Sequence, residues 1–181
     1  NVTVVPNSTL TISNNSLIEG KNKILTNYGS ITTSTNTNNA TFKRVTFNNL
    51  GGSMSYTNCV FDTCNTMFTC DGPLMIENSI FNRTRLHVYV DDEHIDNYTV
   101  NISNNVFNDI GLTNRALNIE KVPQCNVIDN SITSGGNGIF ISNLSGLYSN
   151  YVFNNNTIYN CSYSGFVSYA SNGILNGNNI S

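Results

Sequence analysis

The sequence predicts an all-β chain: a right-handed, single-stranded parallel β-helix of about seven coils, each made of three short strands. Three observations point to it. Short apolar segments recur at a constant interval of 26 residues, centred on Asn78, Asn104, Asn130 and Asn156. Beside each centre, polar and apolar residues alternate with the period of a half-buried strand. Helical periodicity is sustained nowhere in the 181 residues.

The segments are "ENSIF" (77–81), "NNVF" (104–107), "DNSIT" (129–133) and "NNTIY" (155–159), with looser copies at Asn178, Asn58, Arg44 and Asn15. The interval from Arg44 to Asn58, 14 residues, is too short for an ordinary coil. Two positions after each centre stand Leu17, Thr46, Val60, Ile80, Val106, Ile132, Ile158 and Ile180, seven of them aliphatic. One position further, Phe47, Phe61, Phe81 and Phe107 make an aromatic column. The residue before each centre is polar or small, so one face is buried and the other wet.

Each unit has room for three strands: one before the centre ("LMIE", "TVNIS", "NVID"), one after it, and one about ten residues downstream ("LHVYV", "ALNIE", "GIFI"). A unit of that size cannot bury its apolar face alone, so copies must stack, and about seven would make a rod of roughly 35 Å. Asn15, Asn58, Asn78, Asn104, Asn130, Asn156 and Asn178 are then expected as a structural ladder at one bend. Asn tolerates the left-handed conformation a bend needs, and stacked amides hydrogen-bond along the rod. A single domain over residues 1–181 is expected, regular from 58 to 181, with irregular or N-terminal coils in 1–57.

The stretch "NGIFISNLSGLYSNYVFNNNTIYNCSYSGF" (137–166) resembles the parallel β-helix repeats of the pectate-lyase-like superfamily, with their N-x-I-x-x-N and N-G-I-x-I cadence. The resemblance covers most of residues 70–181. It implies the fold rather than an activity, because polysaccharide lyases, polygalacturonases, phage tailspikes, surface-layer components and adhesin-like proteins share that scaffold.

Composition narrows the function classes. Charged residues make up 10% of the chain and the formal net charge is −3, with the eight Lys and Arg scattered along the sequence. No basic face is expected, and nucleic acid is not an expected partner. No apolar run is long enough to span a bilayer. Asn is the unusual quantity, 35 residues, so amides rather than ions solvate the surface; this suits an extracellular setting, and coding bias is an equally simple cause. No signal peptide is visible, so a mature chain or a fragment is expected. Five cysteines (Cys59, Cys64, Cys70, Cys125, Cys161) form no C-x-x-C, and no zinc site or other cofactor is expected. Cys64 with Cys70, or Cys59 with Cys64, could close a small disulfide loop, or all could be buried thiols. Gly135, Gly136 and Gly138 lack the pattern of a phosphate-binding loop and are expected in a between-strand turn.

One stretch, "VDDEHIDNY", gathers Asp91, Asp92, Glu93 and Asp96 around His94. Clustered acids are what glycoside hydrolysis and calcium binding need, so these five residues are the catalytic candidates and the calcium candidate. A solvated turn looks the same, and no Lys or Arg for a lyase base lies between residues 86 and 114. Glu77 and Asp129 are expected in one column with Ser103 between them. Eleven sequons, at Asn1, Asn7, Asn14, Asn39, Asn82, Asn97, Asn101, Asn143, Asn155, Asn160 and Asn179, are the glycosylation candidates.

No helical cap is visible at either end, so the open coils are expected to continue into a longer chain or to meet a second copy. The expected function is a secreted or cell-surface structural scaffold, self-assembling into a filament or appendage or adhesin-like, and not an enzyme. The alternative is a carbohydrate-active protein, a lyase, hydrolase or tailspike-type receptor, with Tyr148, Tyr151 and Tyr163 as glycan contacts if they are not core residues.

Overall fold

In the computed structural model, which describes residues 1–33, 39–50, 52–69, 72–90, 98–142, 150–169 and 172–181, no described residue is helical. Strands pair in parallel with their counterparts one coil away, and the chain is a parallel β-solenoid of about seven turns.

Three rows of strands line it. Row A is an eight-stranded sheet paired in chain order, from Thr9–Ile12 and Ser30–Thr33 through Met54–Thr57, Leu74–Glu77, Thr99–Ser103, Gln124–Ile128 and Asn150–Asn154 to Gly173–Asn176. Row B contains Cys59–Asp62, Ile80–Asn82 and Val106–Asn108; row C contains Asn65–Thr69, Leu86–Tyr89 and Arg115–Glu120. Elsewhere the two rows are one long strand, as in Leu17–Asn27, Ala40–Leu50, Ser131–Ser142 and Thr157–Tyr169. The strands described within residues 1–57 lie in the same rows: Val2–Val4 pairs with residues 25–27, and Ala40–Leu50 with Cys59–Asp62 and Asn65–Thr69.

Alternation decides what each row buries. In Thr99–Ser103, Val100 and Ile102 are fully buried and their neighbours are not. Register then stacks equivalent residues. Phe42, Phe61, Phe81 and Phe107 form one inward column of row B, with successive ring centroids 5.1, 4.7 and 4.6 Å apart and planes within 9, 14 and 11° of parallel. The strand repeat of ~4.8 Å imposes that spacing. Aliphatic residues continue the column as Ile132 and Ile158 on one side and Ile18 on the other. Phe42, not Phe47, belongs to it; Phe47 is an inward residue of row C.

The Asn column expected from the 26-residue spacing is two columns. Asn15, Asn58, Asn78 and Asn104 adopt left-handed backbone at the corner between rows A and B, with φ of 58, 55, 51 and 55°. In later coils that corner is held by Asp129, Asn155 and Gly177, at 56, 55 and 63°. Asn130, Asn156 and Asn178 sit one residue past the corner, beside Asn105 and Ser79, in an inner ladder. The cause is coil length. Val106 pairs with Ser131, 25 residues on, whereas Ile80 pairs with Val106 at 26, so a strict 26-residue count slides from corner to ladder. Arg44 occupies a different corner, between rows B and C, with Thr63, Arg83 and Asp109, all left-handed. That explains the interval of 14: it compares two corners of the solenoid.

The four described cysteines, Cys59, Cys64, Cys125 and Cys161, are free thiols. Cys59 opens the row B strand Cys59–Asp62 and Cys64 lies past the corner at its far end; the strand alone spans about 10 Å at ~3.3 Å per residue, too far for a disulfide. Gly135, Gly136 and Gly138 lie within Ser131–Ser142, at a register irregularity between rows B and C. A Cβ at Gly138 would stand 2.4 Å from the Gly165 carbonyl oxygen, so coil-to-coil approach, not a ligand, requires that glycine.

Candidate functional site

Row C turns one side outward, and its register sets what meets there. Leu86, Leu117 and Ile139 are partners and are buried, so the residues that follow, His87, Asn118 and Phe140, lie side by side on the outer face. Two residues on lie Tyr89, Glu120 and Ser142. Arg115 opens the strand that carries Asn118 and Glu120.

These side chains form one hydrogen-bonded and stacked cluster. Asn118 Nδ2 donates to Glu120 Oε1 at 2.7 Å, and Arg115 Nη1 donates to Asn118 Oδ1 at 3.1 Å. Arg115 also lies 3.7 Å from Glu120 Oε1, and His87 Nε2 3.5 Å from Glu120 Oε2. The guanidinium stands 3.3 Å from the centroid of the Phe140 ring, the geometry of a cation–π contact. Phe140 continues to Tyr169 at 5.8 Å, and Lys121 lies over Tyr89 at 5.3 Å. Burial lowers the His87 pKa, and the Glu120 carboxylate opposes that by favouring the imidazolium.

Beside the cluster is a depression of about 200 Å³ lined by Arg85, His87, Thr113, Asn114, Arg115 and Asn118. Its walls offer cationic and amide donors, and the ring of Phe140 fixes one guanidinium face. Among the described residues the cluster holds a single carboxylate, Glu120, whereas glycoside hydrolysis uses two facing each other across the bond.

Comparison with protein families, with curated proteins and with solved structures found no match for this chain. Fold and site therefore stand on geometry.

The candidates from the sequence are distributed otherwise. Asp91, Asp92, Glu93, His94 and Asp96 lie outside the described residues, between the row C strand Leu86–Tyr89 and the row A strand Thr99–Ser103. Ser103 Oγ donates to Glu77 Oε1 at 3.2 Å, but the next partner in that column is Ile128; Asp129 stands at the corner. Tyr151 is a core residue whose hydroxyl donates to the Val122 carbonyl at 2.7 Å, while Tyr163 is exposed; Tyr148 lies outside the described residues. Of the sequons, Asn97 and Asn143 lie outside them too. Asn1, Asn7, Asn39, Asn155, Asn160 and Asn179 are exposed and Asn14 is half-buried. Asn82 and Asn101 accept side-chain hydrogen bonds from Asn108 at 3.2 Å and Asn126 at 2.8 Å. The row C cluster is legible only when "LHVYV", "ALNIE" and "GIFI" are aligned on Leu86, Leu117 and Ile139, a step beyond finding the strands.

Proposed function

We propose that this chain is a structural β-solenoid of the extracellular space or cell surface, a rod that carries load and presents its lateral faces, adhesin-like or part of an appendage. The observation that supports this reading is the continuity of side-chain bonding along the axis. Asn105 Nδ2 donates to Asn130 Oδ1 at 3.0 Å, Asn130 to Asn156 at 3.0 Å, and Asn156 to Asn178 at 2.9 Å. The same Oδ1 atoms accept the backbone N–H of the coil before, at 3.0 Å each for Asn130, Asn156 and Asn178. Ring stacks run parallel to this ladder. Such bonding resists separation of coils, which is the requirement of a rod under load.

Assembly is part of the proposal. The coil at 173–180 exposes Leu175, at 53%, and Ile180, at 45%, the partners of the buried Phe153 and Ile158. A further coil in the same register would cover them, either from the same chain or from a second copy. Light scattering and electron microscopy of one sample test this: concentration-dependent end-to-end rods are expected. A discrete particle at every concentration, together with cleavage of a polysaccharide, would replace the scaffold with the carbohydrate-active reading.

A further inference from the structure

The eight Lys and Arg look scattered in the sequence, but the solenoid gathers them. Lys21 and Lys23 lie where the first coil passes from row B to row C, Lys43 and Arg44 at that corner of the second, Arg83 and Arg85 at that of the fourth. Arg115 opens row C in the fifth. Only Lys121 lies elsewhere. Coil register places these pairs in one line, because Glu19, Lys43, Asp62, Asn82 and Asn108 are successive partners. With ~4.8 Å per coil the line is about 19 Å long.

Among the described residues, Glu19, Asp62 and Asp109 are the acids on this edge, and Glu120 faces Arg115 at its row C side. Arg44 pairs with Glu19, and Arg83 with Asp62 at 2.7 Å. Lys21, Lys23, Lys43 and Arg85 have no ion-pair partner among the described residues, so the edge keeps a net positive charge on a chain that is negative overall. Two depressions open along it. One, of about 330 Å³, is lined by Lys21, Arg44, Thr46, Thr63 and Asn65; the other is the depression beside Arg85 and Arg115 already described. Both combine cations with hydroxyls and amides.

We propose that this edge binds a sulfated linear polysaccharide lying along the rod. The cations in line match repeated anionic groups, and the hydroxyl and amide lining matches sugar hydroxyls. Three of the four cations without an ion-pair partner are lysines. A lysine is a point charge without the planar fork that pairs with a flat carboxylate, and a tetrahedral sulfate presents an oxygen in any direction. Among the described residues no Phe, Tyr or Trp lines either depression and His87 is the one ring that does, so the row of aromatic platforms on which successive bases of single-stranded nucleic acid stack is not built there. The inference rests on the placement of charge and does not depend on the scaffold reading or on assembly.

The test uses heparin and dextran sulfate as probes, with calorimetry at low salt and elution from a heparin column by a salt gradient. The parent chain is expected to bind, with an affinity that falls steeply as salt rises. The variant Lys21→Gln/Lys23→Gln/Lys43→Gln is expected to bind about tenfold or more weaker, with the slope of log affinity against log salt reduced by about two. Lys121→Gln is expected to bind like the parent. Should Lys43, which is half-buried, prove necessary for folding, the Lys21→Gln/Lys23→Gln pair serves alone. Parent-like binding by the folded lysine variants would overturn the proposal. So would equal or tighter binding of polygalacturonate, a carboxylated polymer, or of single-stranded DNA. Since none of these readouts measures assembly, a failure here leaves the rod proposal standing, and the reverse.

Discussion

Replacing Asn130 with Ala separates the inner ladder from the corner column more sharply than any other change. Asn130 Oδ1 accepts both the backbone N–H and Nδ2 of Asn105, each at 3.0 Å. Its Nδ2 donates to Asn156 Oδ1 at 3.0 Å and to the carbonyls of Ile102 and Ile128 at 2.9 and 3.0 Å. Truncation leaves the Asn105 N–H and one Nδ2 hydrogen without acceptors. Asn156 Oδ1 keeps the backbone N–H of residue 130. An orphaned buried donor costs about 1–3 kcal/mol, so two of them, with the small cavity added, predict a loss of about 3–5 kcal/mol. Asn104 is exposed and holds the left-handed corner at φ 55°. Asn104→Ala therefore loses about 1 kcal/mol of conformational preference and no inner bond, and Asn104→Gly close to nothing. Urea unfolding followed by circular dichroism measures the difference, and Asn130→Ser is the milder variant if Ala does not fold, since Ser79 fills the same column. A loss at Asn104 equal to or larger than that at Asn130 would refute the two-column assignment.

Phe81 is fully buried between Phe61 and Phe107; Phe81→Ala should cost about 3–5 kcal/mol and Phe81→Leu a fraction of that, read as shifts of the urea midpoint. Gly52 has φ +83° and a Cβ there would sit 1.7 Å from the Gly29 carbonyl oxygen, so Gly52→Ala should lose more than about 3 kcal/mol; a near-neutral result would show that the corner is not packed this way. Burial pushes the Cys59 thiol up to about 11, against hydrogen bonds with Thr33 and Ser79 that pull it down. Because the folded pKa is the higher one, this thiol's contribution should be constant below about pH 9 and fall by on the order of 2 kcal/mol toward pH 11, and Cys59→Ala should remove that fall; Cys125, also raised by burial, adds a fall of its own. His87 shifts the other way, its pKa lowered by burial, so its contribution is present above about pH 6.5 and lost on acidification; the melting temperature of the parent should drop between about pH 7 and 5 more than that of His87→Gln.

The fold was legible because a solenoid repeats its constraints. The Phe61, Phe81 and Phe107 column and the aliphatic positions at 80 and 106 are visible by inspection, since the same residue types follow the corner in each coil although the coils are 20 and 26 residues long. The ladder was legible only in part: its steps are 26, 25, 26 and 22 residues, and Asn serves both at the corner and inside, so residue identity could not tell the two apart. The row C cluster was harder for another reason. His87, Asn118 and Phe140 differ in type, share only a register position, and come together through strand pairing rather than through any spacing in the chain. The basic edge is the extreme case. Its cations occur as Lys21 and Lys23, Lys43 and Arg44, Arg83 and Arg85, intervals set by coils of unequal length, and a line along the axis has no linear signature.

The abundance of Asn can now be read physically. One group holds left-handed corners, where an L residue other than Gly, Asn or Asp costs about 1–2 kcal/mol. A second, Asn105, Asn130, Asn156 and Asn178, satisfies buried backbone groups that a corner removes from the sheet ladder. A third joins coils by amide pairs, Asn101 with Asn126 and Asn82 with Asn108 on the partly buried faces and Asn27 with Asn49 in the interior at 2.6 Å. The amide carries its donors and its acceptor on separate atoms, so it can bond the coil before and the coil after and repeat along an axis where a carboxylate would repel its own copy, while a serine hydroxyl, though it also donates and accepts, does both through one atom on a shorter arm. Coding bias could enrich Asn anywhere; it would not place successive Asn side chains in hydrogen-bonding register from coil to coil.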